Sequence, residues 1–197
     1  TLFLDNENVL WVGTFITGVD KLTLGNAAFG HYKHDPGNNS SLSARSVWSF
    51  TESQSGDIWI ATDGGGIGLF DTHSGQFEHY QVDKNDPNSI QSNFIWDIVE
   101  DEPGIFWIGT FDAGLARFNK KEKTFTHFLH SDEPSSLSSN HVIALLVDSK
   151  KNVWVGTASG LDLFERKTET FRHFQHDPNN SESIAANWIS SIYEAND

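Results

Sequence analysis

The sequence predicts an all-β protein: a β-propeller of four-stranded antiparallel blades, with about four blades in this chain, a partial propeller. A Trp-x-Gly/Ala-Thr motif recurs at intervals of 48, 48 and 47 residues, and an aromatic-x-His-aromatic motif recurs in phase with it. Each interval also holds four short runs of strand-forming residues. The motifs begin at Trp11, Trp59, Trp107 and Trp154, and at Phe29, Phe77, Phe125 and Phe171.

Within the second repeat, the four runs are residues 47–51, 58–62, 67–71 and 76–80. Short polar turns join the first run to the second and the third to the fourth, which predicts antiparallel pairing. A lone meander cannot bury both of its faces, whereas blades arranged around an axis bury them against each other. The repeats are predicted at residues 1–45, 46–93, 94–140 and 141–187, with an extra innermost strand at 188–194.

The connections between repeats are longer and share an Asp-Pro or Glu-Pro pair followed by Ser-Leu or Ser-Ile. Asp before Pro suits the start of a single helical turn. These segments could instead be disordered linkers. Ordered loops are the better interpretation, because each connection keeps one apolar residue of a kind usually buried. These residues are Leu42, Ile90, Leu137 and Ile184.

Composition excludes several classes of function. The chain of 197 residues carries 27 acidic and 13 basic side chains, a formal net charge of −14, which argues against nucleic acid and anionic membranes as partners. No apolar stretch is long enough to cross a bilayer, so no membrane contact by this segment is expected. Cysteine is absent, which excludes thiol nucleophiles and cysteine-ligated zinc. Methionine is absent too, and we interpret the chain as a piece of a longer protein.

A ligand site is expected where the connections between blades and the turns after the second strands emerge, around the mouth of the axial channel. Residues that only some copies carry are the candidates there. Aromatic faces suit sugar rings, and polar neighbours can bond hydroxyls or a uronate carboxylate. The alternative is that the extra tryptophans fill wedge-shaped gaps between blades. The candidate ligand-binding residues are Arg45, Trp48, Asn93, Trp96, Asn140, His141, Asn187 and Trp188.

Other patterns are weaker. The pairs His31-x-x-His34, His127-x-x-His130 and His173-x-x-His176 have the spacing of metal ligands, but they recur once per blade and are better explained as rim residues. The glycine-rich run from Asp63 to Gly68 lacks the Lys-Ser/Thr of a phosphate loop, so we interpret it as a turn. No catalytic residue, metal ligand or cofactor is predicted.

Several spaced elements together resemble the two-component regulator propeller repeat. In the third copy they are Trp107-Ile-Gly-Thr110, Gly114-Leu115, Phe125-Thr-His-Phe128, Ser136-Leu137 and Asn140. Ala61, Arg45 and Asn152 depart from the pattern. The resemblance implies a sensor region that is exported to the bacterial periplasm, belongs to a membrane-anchored receptor with a histidine kinase or cyclase output, and often recognises glycans. It also implies rings of about seven blades.

Three functions remain open at this stage. The first is a non-catalytic, ligand-sensing propeller segment of an extracytoplasmic sensor, with an oligosaccharide or another small molecule as its ligand. The second is a propeller lyase or hydrolase that acts on a glycan, and the third is a protein-interaction or dimerisation platform. Four repeats leave two open blade faces, so self-association through the open ends is expected, or closure by pairing of residues 188–194 into the first blade.

Overall fold

A computed structural model describes residues 1–23, 29–72 and 74–195. These residues contain four antiparallel sheets of four strands each and no helix, which confirms the predicted all-β class and the four-stranded blades. The first two blades consist of β1 (Leu2–Leu4), β2 (Val9–Gly13), β3 (Val19–Thr23), β4 (Phe29–Tyr32), β5 (Val47–Glu52), β6 (Ile58–Thr62), β7 (Ile67–Phe70) and β8 (Phe77–Tyr80). The next two consist of β9 (Ile95–Glu102), β10 (Ile105–Thr110), β11 (Leu115–Asn119), β12 (Thr124–Phe128), β13 (Val142–Val147), β14 (Val153–Thr157), β15 (Gly160–Glu165) and β16 (Thr170–Phe174).

Strand order within every sheet follows chain order, so each repeat is one meander, as predicted. The predicted strands of the second repeat agree with β5 to β8 within one residue at each end. The first strands of successive blades, β5, β9 and β13, lie side by side and form the inner edge of the arc. The turn predicted between the third and fourth runs of the second repeat includes residue 73, which lies outside the described residues.

The Trp-x-Gly-Thr motif joins each blade to the next. Trp107 is fully buried, and its ring centroid lies 4.7 Å from that of Phe164 on β15 of the following blade. A Cβ on Gly109 would lie 2.7 Å from Cγ1 of Val142, so the next blade can approach only a glycine here. Thr110 Oγ1 donates to the carbonyl of Gly114 at 2.8 Å and fixes the turn that follows.

A carboxylate six residues before the motif tryptophan satisfies its indole N–H. Trp107 Nε1 donates to Asp101 at 3.0 Å, and the first and fourth blades repeat this bond. The second blade has Ser53 instead, and its hydroxyl accepts the backbone N–H of Asp57, at 3.1 Å. Trp59 Nε1 is therefore buried without an acceptor in the part of the chain that the structure describes. This buried donor lowers the stability of the second blade, because a buried N–H without an acceptor is destabilising.

Replacing Ser53 with aspartate is expected to raise the free energy of unfolding by about 1 kcal/mol. The second carboxylate oxygen would reach Trp59 Nε1, as it does in the other blades. The nearby carboxylate of Asp57 is paired with Lys120 at 2.9 Å, which limits charge repulsion. Thermal unfolding measures the change. In a protein that already carries Trp59→Phe, the further change Ser53→Asp should give no gain in stability. A gain in that background would contradict this explanation.

The connections between blades are ordered, as predicted, but they contain no helical turn in the described part of the chain. Asn38 N donates to the carbonyl of Asp35 at 3.0 Å, and Ser41 Oγ donates to the same carbonyl at 3.1 Å. The first bond closes a β-turn that begins at Asp35 and contains Pro36. The second bond adds the serine side chain as a donor to the same carbonyl. The apolar residue Leu42 is fully buried beneath the turn.

Residues 188–194 do not form the predicted extra strand. The segment follows the path of an innermost strand along the fourth blade: Ile189 N donates to the carbonyl of Thr157 at 3.1 Å, and Glu194 accepts from Ser149 N at 2.8 Å. A β-strand requires a ladder of hydrogen bonds to a neighbouring strand, and none pairs with this segment among the described residues. Pairing into the first blade does not occur either, because β1 already pairs with β2 there.

Candidate functional site

Five aromatic side chains form a continuous row across the four blades. Successive ring centroids lie 6.2, 5.8, 5.3 and 4.8 Å apart. We call this row the aromatic ribbon. It consists, in spatial order, of Phe15 from the first blade, Trp48 from the second, Trp96 and Phe111 from the third, and His141 from the fourth.

Two of these side chains stand on β-bulges. In the second blade, Val47 pairs with Thr62 and Ser49 with Ala61, so Trp48 is the extra, unpaired residue. Trp96 holds the same position in the third blade, between the paired residues Ile95 and Asp97. A bulge bends the strand and re-aims the extra side chain. Both tryptophans are thereby displaced from the alternation of the innermost strands.

Three large apolar members of the ribbon are exposed to solvent, and Trp96 and His141 are partly buried. Phe15 is 64% exposed, Trp48 41% and Phe111 40%, whereas the motif tryptophan Trp107 is fully buried. Exposure of this extent does not fit the wedge-filling alternative for Trp48. A row of exposed aromatic rings is typical of an interaction site, since isolated proteins rarely leave such surface to water.

The carboxylate of Asp97 holds together the strands that carry the ribbon. Its Oδ1 accepts from Ser49 Oγ of the second blade at 2.6 Å, and its Oδ2 accepts from the backbone N–H of Leu145 in the fourth blade at 2.8 Å. Burial raises the pKa of Asp97, against the lowering effect of these hydrogen bonds. One side chain thus ties three blades together beneath the ribbon.

The three predicted asparagines close the connections between blades. Each side-chain oxygen accepts a backbone N–H from the residue two positions after the outermost strand, at 2.7–2.8 Å. The donors to Asn93, Asn140 and Asn187 are Val82, His130 and His176, respectively. Their amide oxygens are therefore engaged in the fold, and ligand binding by their NH₂ groups stays a prediction.

The structure brings together only part of the predicted site. Trp48, Trp96 and His141 are members of the ribbon. Arg45 is exposed and lines a cleft of about 240 Å³ beside it. Trp188 is 56% exposed, and its ring stacks on no other aromatic ring among residues 1–23, 29–72 and 74–195.

Sequence reasoning missed Phe15 and Phe111. Both directly follow the threonine of the Trp-x-Gly-Thr motif, where the other copies have Asp63 and Ala158. The signal that could have found them is this difference between copies, which marks both phenylalanines as blade-specific residues.

The second histidine of each spaced pair holds its connection in place. The Nδ1–H groups of His34, His130 and His176 donate to carbonyls of Leu42, Leu137 and Ile184 at 2.8–2.9 Å. Among the described residues, no three His, Cys, Asp or Glu side chains are grouped so that they could hold a metal ion.

The first histidines of the pairs differ in their electrostatic surroundings. Burial lowers the pKa of His173, but the hydrogen bond and charge of the buried Asp162, 2.7 Å away, outweigh burial and raise it overall. Burial lowers the pKa of His127, whose Nε2 lies 3.1 Å from the backbone carbonyl of Ser89. These rings serve local packing on the outer strands, away from the ribbon.

Comparison with known proteins finds one matching family model and several β-propellers of similar fold. The family model described as two component regulator propeller matches residues 41–64, 89–112 and 136–159. The fold is similar to that of the extracellular domains of two putative hybrid two component systems of B. thetaiotaomicron. The BT3049 domain matches with a TM-score of 0.77 at 22% sequence identity, and the match covers 98% of this chain and 30% of that domain. The BT4673 domain matches with a TM-score of 0.77 at 21% sequence identity, and the match covers 98% of this chain and 24% of that domain.

Similarity of fold extends beyond signalling proteins. Virginiamycin B lyase from Staphylococcus aureus matches with a TM-score of 0.64 at 14% identity, over 92% of this chain and 56% of the lyase. The chain spans less than a third of each of the two extracellular domains that it matches. A search of curated proteins finds no significant match. In the described part of the chain, no helix is long and apolar enough to cross a membrane.

Proposed function

Because this chain carries repeats of the two component regulator propeller family, we propose that it is the ligand-sensing segment of an extracytoplasmic sensor and that it binds an oligosaccharide on the aromatic ribbon. The observation that carries this proposal is the unbroken row of exposed and partly exposed rings from Phe15 to His141. The two extracellular domains of similar fold support a position outside the cytoplasm, and we propose the periplasm of a bacterium.

The chemistry of the ribbon suits a saccharide. A pyranose ring presents C–H groups on its faces and hydroxyls around its edge, so it packs on an aromatic face without burying its hydroxyls. The rings of Trp48 and Trp96 are tilted by 36° to each other, with their centroids 5.8 Å apart, and form two neighbouring platforms. Each aromatic contact of this kind contributes about 0.5–1.5 kcal/mol beyond area burial, and several in a row are needed for useful affinity.

The ribbon also explains how binding could produce a signal. Its members come from four successive blades, and Asp97 links three of the innermost strands beneath it. A ligand that spans the ribbon contacts all of these blades at once and favours one arrangement of them. We propose that this segment is non-catalytic and that the signal passes to a kinase or cyclase domain of a membrane-anchored receptor. The enzyme alternative rests on fold similarity to a lyase, which says nothing about chemistry.

Trp48→Ala is expected to lower oligosaccharide affinity at least tenfold with little change in melting temperature. The indole supplies a platform at the centre of the ribbon but is not enclosed by the core. A glycan array identifies the ligand, and calorimetry then measures the affinity of each variant. Phe29→Ala is the matched control, because Phe29 is also exposed but lies on an outermost strand. Equal affinity for wild type and Trp48→Ala would refute the proposal.

Self-association through the open ends stays a proposal. Leu2 and Leu4 are exposed on the first blade, and Trp154, Ile192 and Tyr193 line an apolar cleft on the fourth. The two ends differ, so a ring of two copies would join the first blade of each chain to the fourth blade of the other.

A further inference from the structure

One connection between blades differs from the other three. Position 45 is arginine, where the equivalent residues are Asn93, Asn140 and Asn187. In those copies the asparagine oxygen accepts the backbone N–H two positions after the outermost strand. Arginine has no acceptor atom. The equivalent donor here is the N–H of His34, and within the described ranges it has no acceptor.

A second departure lies beside the first. Lys33 stands where two other copies have Gln81 and Gln175, whose side chains donate to carbonyls of the neighbouring turn at 2.9 Å. Lys33, His34 and Arg45 line one cleft of about 240 Å³ together with Ile16 and Thr17. No carboxylate is among these lining residues, although the chain as a whole carries a net charge of −14. The charge that the cleft presents is therefore positive only.

The cleft adjoins one end of the aromatic ribbon. Phe15, the last ring of the ribbon, directly precedes Ile16 and Thr17 in the chain, and its carbonyl accepts a hydrogen bond from Ser46 Oγ, next to Arg45. A saccharide that stacks on Phe15 and Trp48 thus places its end, or a substituent there, at the cleft.

We propose that this cleft is an anion-binding subsite and that the ligand of the ribbon is an acidic saccharide, with a carboxylate or sulfate group held by Arg45, Lys33 and the N–H of His34. This inference rests on the proposed function. Planar guanidinium groups bind carboxylate and sulfate through paired, charge-assisted hydrogen bonds. The backbone N–H of His34, which has no acceptor among the described residues, supplies a third donor, and the surrounding negative charge of the protein makes this local positive site selective.

Replacing the two residues with those that the other copies carry gives a test that keeps the fold. Arg45→Asn restores the missing acceptor for the His34 N–H, and Lys33→Gln restores the glutamine found in the second and fourth copies. Neither variant is expected to melt below the wild type. Wild type and both variants are applied to one array of neutral, uronate-containing and sulfated glycans, and hits are measured by calorimetry.

The wild type is expected to prefer acidic glycans over their neutral counterparts at least tenfold. The difference between the uronate and sulfate arms identifies the anionic group. Arg45→Asn should abolish this preference, lower affinity for the acidic glycan about tenfold or more, and leave affinity for the neutral counterpart within about twofold. The preference should also weaken with added salt. Lys150→Gln removes the same charge from an exposed turn of the fourth blade and should change nothing.

The outcomes separate the two proposals. Binding of neutral and acidic glycans with equal affinity, unaltered by Arg45→Asn, would overturn the anion subsite and leave the ribbon as a saccharide site. Binding of acidic glycans that does not depend on Arg45 or Lys33 would also overturn it. An array without any hit would refute both the saccharide ligand and its acidic group.

Discussion

Trp107→Ala is expected to lower the free energy of unfolding by about 3–5 kcal/mol. The indole is fully buried between the third and fourth blades, 4.7 Å from the ring of Phe164. Its removal leaves a cavity and deprives the buried carboxylate of Asp101 of a donor. Domains of this size are stable by about 5–15 kcal/mol, so the variant is expected to be largely or wholly unfolded at about 37 °C.

The comparison that gives this result its meaning is Trp96→Ala. Trp96 is a residue of the same type in the same blade, but it stands on a bulge in the half-exposed ribbon. Its replacement should shift the melting temperature by only a few degrees and act mainly on ligand affinity. Thermal unfolding followed by circular dichroism measures both variants. Equal destabilisation by the two replacements would contradict the assignment of Trp107 to the core and Trp96 to the site.

Asp101→Ala is expected to cost about 3–5 kcal/mol. The carboxylate is almost fully buried and accepts from Arg166 Nη1 and Nη2, both at 2.7 Å, and from Trp107 Nε1 at 3.0 Å. Arg166 belongs to the fourth blade, so this bidentate pair joins two blades. Truncation leaves a buried indole and a partly buried guanidinium without their acceptor.

Asp148→Ala is the matched control for that prediction. Asp148 accepts from the indole of Trp154 in the same way but has no arginine partner among the described residues, and a smaller loss of about 1–2 kcal/mol is expected. Chemical denaturation of both variants gives the two free energies. If Asp101→Ala cost no more than Asp148→Ala, the pair with Arg166 would contribute nothing to stability.

The same carboxylates predict how stability depends on pH. Burial raises the pKa of Asp101, but the hydrogen bonds from Arg166 and Trp107 and the charge of Arg166 outweigh it, and the pKa is lowered overall. Burial acts in the same direction on Asp148, but hydrogen bonds from Trp154 and Asn152 outweigh it and lower the pKa to about 2. A lowered pKa means that the folded state favours the ionised form. This stability is therefore fully present above the unfolded pKa of about 4 and is lost as the pH falls toward about 2.

Much of the fold could be predicted because the same short motifs make similar contacts in successive repeats. Three features recur in most or all blades: a buried motif tryptophan, a motif glycine closely approached by the next strand, and a turn closed by the motif threonine hydroxyl. Requirements that recur at a fixed interval leave a period in the sequence, so the strands and their order followed from spacing alone. A comparison between copies also identified Trp48, Trp96 and His141 as residues that not every blade needs.

What the sequence by itself determined is thus the number, the order and the strands of the blades, because these depend on patterns within one repeat. Only the tertiary structure decided which of the blade-specific residues contact each other. Phe15 joins Trp48 across two blades because a bulge re-aims the tryptophan, and no local pattern records that bulge. The same holds for the unpaired N–H of His34 beside Arg45 within the described part of the chain. A functional site here is a contact between different repeats, and such contacts depend on how blades pack, which a period in one chain does not specify.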